Sequence, residues 1–348
     1  MSTPPPLRFA AIGLNHGHIY MQTDILLEAG AQLVSYYAVE PELAAAYGGQ
    51  YPQAALARSA EAILEDPSIQ LIINAGIPCE RAPLGIRAMQ HGKDYMTDKP
   101  GMTTFAQLAE VRRVQVETGR IYSVDFSERF HVRSAVKAGE LIRAGAIGQV
   151  LQVTILAPHR AQLASRPTWF FERAKYGGIL VDIGSHQFDQ ILYYTGSDRA
   201  EVVAAQVGNL HHPDYPELED FGDALIRGSG GFPEGTHSGG YVRVDWFTPD
   251  GLGSWGDGRL FILGTAGYIE ARKYCDIAGQ PGGDHLFLVD QRNVQRIDCR
   301  DVALTYGGQL IEDIRNRTET AMTHAHCFLV SELALAAEAN ATKLGNLR

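Results

Sequence analysis

A chain of 348 residues that is 45% hydrophobic can bury two cores, so two domains are expected rather than one. Its formal net charge of −10, with no long basic run, excludes nucleic acid as the expected partner, because phosphate recognition needs a basic footprint. Four scattered cysteines without a Cys-x-x-Cys exclude a disulfide framework or zinc knuckle, and no signal peptide or membrane-length apolar segment is read, so a soluble cytoplasmic protein without a membrane partner is expected.

Residues 7–14 form a short apolar run that closes at Gly13, the pattern of a buried strand. A helix over about 18–29 and a second strand over 32–39 follow. Pro41 suits the first turn of the next helix. Residues 54–57 read as a third strand, and Ser59 can cap the helix after it. The run 69–75 is a fourth strand, about 80–91 a helix, and 94–97 a fifth strand. Thr104-x-x-Gln107 is a capping box that opens a helix to about Thr118, before a sixth strand at 121–126. Strands alternating with helices imply a doubly wound parallel sheet, covered on both faces, of the dinucleotide-binding kind. The expected first domain is residues 1–128.

The texture then changes, and residues 129–348 are expected to form an α/β domain for substrate binding and oligomerisation. A helix near 131–144 precedes a long strand at 149–158. Strand-like runs at 201–203, 223–226, 241–247 and 259–263 are separated by Gly, Pro and Asp turns, and a helix over about 318–339 closes the chain. Strands in a block flanked by helices imply a large open, mostly antiparallel sheet.

Three places carry chemistry. The first is the turn Gly13-Leu14-Asn15-His16-Gly17-His18, where a dinucleotide fingerprint would read Gly-x-Gly-x-x-Gly. Gly13 can make the tight turn, Asn15 tolerates positive φ, and His18 replaces the third glycine. The second strand reaches Ala38 where an acid usually binds ribose, with Glu40 two residues on. No Lys or Arg lies between Arg8 and Arg58, so NAD is expected over NADP. The second place is Asp98-Lys99-Pro100, at the carboxyl end of the fifth strand, where ligands bind in such sheets. The third is the run 177–189, read as one helix that sets Asp182 and His186 a turn apart on one face. A carboxylate beside an imidazole is a proton-transfer pair. The blander alternative is a buried helix whose histidine is merely satisfied.

Gly13-x-Asn15-x-Gly17-His18, Asp98-Lys99-Pro100 and Gly177-Gly178-x-Leu180-x-Asp182-x-Gly184-x-His186-x-x-Asp189 together resemble the glucose-fructose oxidoreductase and inositol dehydrogenase family, often called Gfo/Idh/MocA. Gly145-Ala146-Ile147-Gly148 and Gly264-Thr265-Ala266-Gly267 extend the resemblance over nearly the whole chain. Asp98 stands where the family usually has Glu, and Asn15, His18 and Ala38 depart from its cofactor pattern. The resemblance implies hydride transfer between NAD(P) and a secondary alcohol of a sugar, polyol or sugar acid. It implies that Lys99 contacts nicotinamide and the reacting hydroxyl, that His186 accepts the proton and that Asp182 orients. Gly13, Asn15, His16, Gly17, His18 and Glu40 are the remaining cofactor candidates. A homo-oligomer, dimer or tetramer, is also implied.

In this family the stretch 159–176 tends to line the substrate site, which makes Arg160, Trp169 and Tyr176 the substrate candidates. Its Arg160, Arg166, Arg173 and Lys175 raise the idea of an anionic substrate, against which they could be solvated or paired elsewhere. His211-His212 and His324-x-His326 lack matching acid or Cys clusters, so no metal is expected. Two other functions remain open on the same fold: an NAD-dependent glycoside hydrolase or lyase working by transient oxidation, and a non-catalytic ligand-binding regulator.

Overall fold

The computed structural model describes residues 5–231 and 235–345. Its contacts divide the chain into two units, Met1–Asp125 with Thr305–Phe328, and Phe126–Leu304 with Leu329–Arg348.

The first unit alternates as its apolar runs predict: β1 Arg8–Ile12, α1 His18–Glu28, β2 Gln32–Tyr37, α2 Pro41–Gln50, β3 Ala55–Leu56, α3 Ala60–Leu64, β4 Leu71–Asn74, α4 Pro78–Gln90, β5 Asp94–Asp98, α5 Phe105–Thr118 and β6 Tyr122–Asp125. The six strands are parallel in the order β3-β2-β1-β4-β5-β6. Helices on both faces leave β4, β5 and β6 wholly buried, which is why they read as unbroken apolar or small-polar runs. Thr104 caps α5 by accepting from the Gln107 amide at 3.1 Å. The Gln107 side chain returns to the Thr103 amide rather than to Thr104, so the box is displaced by one residue. Strand order reverses between β1 and β4, and that crevice is where such sheets take ligands.

The second unit continues with α6 Ser127–Phe130, α7 Arg133–Arg143, β7 Val150–Pro158, α8 Arg173–Tyr176, α9 Ile179–Asp182, α10 Gly184–Thr195, β8 Arg199–Gly208, β9 Phe221–Ser229, β10 His237–Asp245, β11 Arg259–Gly264, β12 Gly267–Arg272, β13 His285–Asp290 and β14 Val294–Ile297. The chain then forms α11 Tyr306–Asn316, α12 His324–Ala339 and β15 Thr342–Lys343. The nine-stranded sheet has the order β14-β13-β12-β11-β7-β10-β9-β8-β15. Only β7–β10 and β8–β15 pair in parallel. One face is covered by α10, which packs on β7 and β10 and is buried along nearly its whole length. No helix among the described residues is long and apolar enough to cross a membrane.

Three boundaries differ from the sequence reading. The first unit ends at Asp125 and takes back Thr305–Phe328, where the sequence reading expects a single break after residue 128. The reason is tertiary: Tyr306 bonds Ser123 at 2.8 Å, and Arg317 grips both oxygens of Asp94 at 2.6 and 3.0 Å. The closing helix expected over about 318–339 begins only at His324, and α11, which the sequence reading did not expect, precedes it. Arg317 adopts a left-handed φ of 57°, and the buried Asp313 carboxylate collects Thr318, Thr320 and Ala321 between them. The helix expected over 177–189 is broken at Ile183, so Asp182 ends α9 and His186 lies in the first turn of α10.

Candidate active site

In the first unit the turn after β1 is built around Gly13. Its φ is 80°, and a Cβ there would lie 2.5 Å from the Asn74 side chain on β4, so glycine is required by conformation and by space. Gly17 is helical, and a Cβ on it would meet nothing within 4 Å, which leaves the mouth of α1 open. Asn15 donates to Glu40 Oε1 at 2.8 Å. The two departures from the usual pattern therefore belong together: the side chain in place of the second glycine holds the acid that lies just beyond β2. An open helix mouth, a positive-φ glycine and an acid just beyond β2 suit a dinucleotide whose ribose hydroxyls are free.

Asp98, fully buried at the end of β5, gathers the cations of this unit. His18 Nδ1 is 2.8 Å from Oδ1, and His16 Nδ1 and Arg81 Nη2 are 3.4 and 3.2 Å from Oδ2. Burial pushes the Asp98 carboxyl up, but His18 and Arg81 outweigh it and hold it well below the carboxylate range. Burial and the adjacent His18 push His16 below the ordinary imidazole value, while Asp98 pulls it back. His16, His18 and Asp98 bring ligand-capable atoms within 4.8 Å of one another, a cluster the sequence did not announce. Arg81 already supplies this carboxylate with a fixed positive charge. Its other contacts are the carbonyls of Gly76 and Lys99. Lys99 follows directly, is buried, and joins Pro100 through a cis peptide.

In the second unit, Gly178 explains the glycine pair before the acid–histidine segment. Its φ is 100°, and a Cβ there would lie 2.2 Å from Glu338 Cδ. That carboxylate accepts from the Leu180 amide at 3.1 Å, and Glu219 accepts from Ile179 at 3.0 Å, so two acids cap α9. Burial and the Glu219 charge push Glu338 up to about 7, while Arg173 pulls it down. The capped helix ends in half-buried Asp182, and His186 is 2% exposed. Asp189, the last acid of the motif, accepts a bidentate bond from Arg129 at 2.6 and 2.7 Å, tying α6 to α10.

That tie brings in a residue the sequence did not single out. Glu128 on α6 is 3% exposed. Its Oε2 accepts from Lys273 Nζ at 2.5 Å and Gln187 Nε2 at 2.9 Å. Burial raises the Glu128 carboxyl, but the charges of Lys273, His186 and His159 bring it well below its usual range. Lys273 and His159 come from distant strands, so no local spacing could have found them.

The substrate candidates fare unevenly. Arg160 is held by the loop after β10: it bonds Asp250 at 2.5 Å and the carbonyls of Pro249 and Ser254. Arg166 donates to the carbonyls of Ala161 and Arg160 and lies over the Phe170 and Trp246 rings. Arg173 pairs with Glu219 and Glu338, and Lys175 with Glu172. Each of these basic side chains has partners within the unit. Tyr176 is buried, with its hydroxyl donating to Glu217 O and accepting from Glu219 N, so its polar end serves the fold. Trp169 is half-buried against Phe170. Of the other histidines, His212 pairs with Asp220 and His324 with Glu319.

A doubly wound nucleotide unit followed by a large mixed sheet, with an acid–histidine segment lying across that sheet, defines a two-domain dinucleotide oxidoreductase. Residues 7–126 match the oxidoreductase family with NAD-binding Rossmann fold, and residues 135–270 match the GFO/IDH/MocA C-terminal domain. The chain belongs to the Gfo/Idh/MocA oxidoreductase family. It is 46% identical to a crystallised protein from Erwinia carotovora atroseptica provisionally described as an oxidoreductase, with a TM-score of 0.93 over 97% of this chain and 100% of that one. It is 25% identical to a D-xylose dehydrogenase from Paenarthrobacter nicotinovorans over 36% of this chain and 34% of the relative. It is 26% identical to an NAD(+) scyllo-inositol 2-dehydrogenase from Bacillus subtilis over 46% and 44%. The alignments thus span about a third to a half of these curated relatives.

Proposed function

We propose that this protein is an NAD-dependent dehydrogenase acting on a secondary alcohol of a neutral sugar or polyol. The observation that carries this is the buried His186 at the start of α10, soon after Asp182, in a chain whose other unit carries Lys99 directly after β5. Gly13, Asn15, His16, Gly17, His18 and Glu40 would hold the dinucleotide, which supplies the hydride acceptor. During oxidation the Lys99 ammonium stabilises the negative charge that develops on the reacting oxygen. His186 takes the hydroxyl proton as the carbinol C–H bond breaks, and Asp182 orients the imidazole. Binding of both reactants in a fixed pose supplies much of the acceleration. The relatives act on D-xylose and scyllo-inositol, by their names, which supports a polyhydroxylated substrate. The face of the large sheet away from α10 exposes Leu225, Leu263 and Tyr268, which supports a homo-oligomer.

The test is a polyol and sugar screen that follows NADH at wild type, His186→Ala and Lys99→Ala. His186→Ala is expected to lower turnover by roughly two to four orders of magnitude while NAD binding stays near normal. Near-normal turnover in that variant would remove His186 as the base. Turnover without net NADH would move the assignment to elimination by transient oxidation.

A further inference from the structure

The second unit holds a charged cavity that the dehydrogenase chemistry does not use. Its volume is about 740 Å³, and the start of α7, the loop before β13 and the chain from β14 onward line it. Three arginines, Arg133, Arg296 and Arg300, stand there with two acids, Asp284 and Asp298. Both acids are already engaged. Asp284 Oδ1 accepts from the Ser134 amide at 2.8 Å and from its hydroxyl at 3.0 Å. Asp298 accepts from Arg300 Nε at 3.0 Å and from Nη2 at 2.5 Å. The Arg300 side chain is the first cause that holds the Asp298 carboxyl at about 2, and Arg296 is the smallest.

Arg133 and Arg296 are held differently. Arg133 donates to the Val302 carbonyl, and Arg296 donates to Gln280 Oε1 at 3.2 Å and His285 Nδ1 at 3.1 Å. His285 Nε2 lies 2.9 Å from the Gly282 carbonyl, which can only accept, so Nε2 carries the proton and Nδ1 receives from Arg296. Among the described residues neither guanidinium has a carboxylate within ion-pair distance. A guanidinium cannot shed its charge, so two fixed positive charges line one cavity. Arg133 is also the first residue of α7, an 11-residue helix with no acid in its first turn. A cation there opposes the helix dipole, so this end gains from an incoming anion. A Cβ on Gly282 would meet nothing within 4 Å, which leaves that part of the lining open.

Charge and size select the ligand. A phosphate monoester carries close to two negative charges near neutrality, and three acceptor oxygens. Forked guanidiniums bind such a group through charge-assisted hydrogen bonds. A carboxylate would answer one guanidinium and leave the other. The cavity volume falls within the range of about 300–1,000 Å³ for small-molecule sites, which leaves room for the organic part of an ester. We propose that Arg133 and Arg296 form a binding site for the phosphate of a small phosphorylated molecule, built from residues distinct from those of the dinucleotide turn. This site does not depend on the dehydrogenase activity. Arg300 is committed to Asp298 and is no part of the clamp.

The experiment is calorimetric titration of the full chain, with NADH present and ionic strength held constant, using glycerol 3-phosphate, inorganic phosphate and glycerate. Glycerol 3-phosphate should bind saturably, more tightly than inorganic phosphate and by about tenfold or more over glycerate. Arg296→Gln and Arg133→Gln should each weaken it by about tenfold or more, whereas Arg300→Gln should change it by less than about threefold. Arg133→Gln removes the bond to Val302, so its melting curve is recorded alongside. Arg296 is exposed, and its variant carries the test without that one. No saturable binding of either phosphate, or an affinity that Arg296→Gln leaves unchanged, would overturn the site. Equal losses in Arg296→Gln and Arg300→Gln would replace it with a general positive field. Glycerate binding as tightly as glycerol 3-phosphate, or inorganic phosphate binding more tightly, would overturn the choice of a phosphate ester.

Discussion

Asp98 and Glu128 are two answers to one problem, a carboxylate buried almost completely in its own unit. Asp98 is compensated by two imidazoles and one guanidinium, His18, His16 and Arg81. Glu128 is compensated first by a buried lysine, Lys273, then by the charges of His186 and His159, with the amides of Gln187 and Gln190 beside it. The nucleotide unit sets its carboxylate among a guanidinium and two imidazoles, one of which burial and the adjacent His18 hold below the ordinary imidazole value. The sheet unit sets its carboxylate against a buried lysine.

Removing each carboxylate should break the comparison most visibly. Glu128→Ala strands Lys273 in the interior and should cost about 3–5 kcal/mol in denaturant unfolding. Asp98→Ala should cost less, about 1–3 kcal/mol, because Arg81 keeps its carbonyl partners. Equal losses would mean that the imidazoles depend on their carboxylate as heavily as the lysine does.

A smaller effect concerns the acid that Asn15 holds. NAD(H) should bind more tightly than NADP(H), and Glu40→Ser should narrow that preference by roughly tenfold, about 1.4 kcal/mol. Equal titrations of the two cofactors at wild type would show that Glu40 does not select.

The smallest effect is on pH. His16 sits below its ordinary value of 6.5, so the unfolded chain binds a proton that the fold refuses. Its contribution is full above 6.5 and declines as the pH falls toward the folded value. Asp98 acts in the same direction further down, where its contribution fades only as the pH falls through its depressed folded value. His16→Asn should flatten the fall in melting temperature between about pH 7 and 5, by less than about 1 kcal/mol because the ring is half-buried. An unchanged slope would place the acid sensitivity elsewhere, for example in other carboxylates.

The sequence by itself determined the alternation of β1 to β6, most clearly at β4, β5 and β6, because wholly buried parallel strands read as apolar or small-polar runs. It also marked Gly13, where only glycine fits the turn. What it could not supply were features made by distant residues. Asn15 reaches Glu40, Asp98 collects His16, His18 and Arg81, and Glu128 meets Lys273 and His159 only after the chain has folded. The break at Ile183 was likewise hidden, as was the capping of α9 by Glu219 and by Glu338, the latter more than a hundred residues further on. The basic stretch 159–176 shows the same limit from the other side. Its composition suggests an anion site, but the tertiary structure spends each arginine on a loop, a ring or an acid, because unpaired charge cannot stay half-buried cheaply.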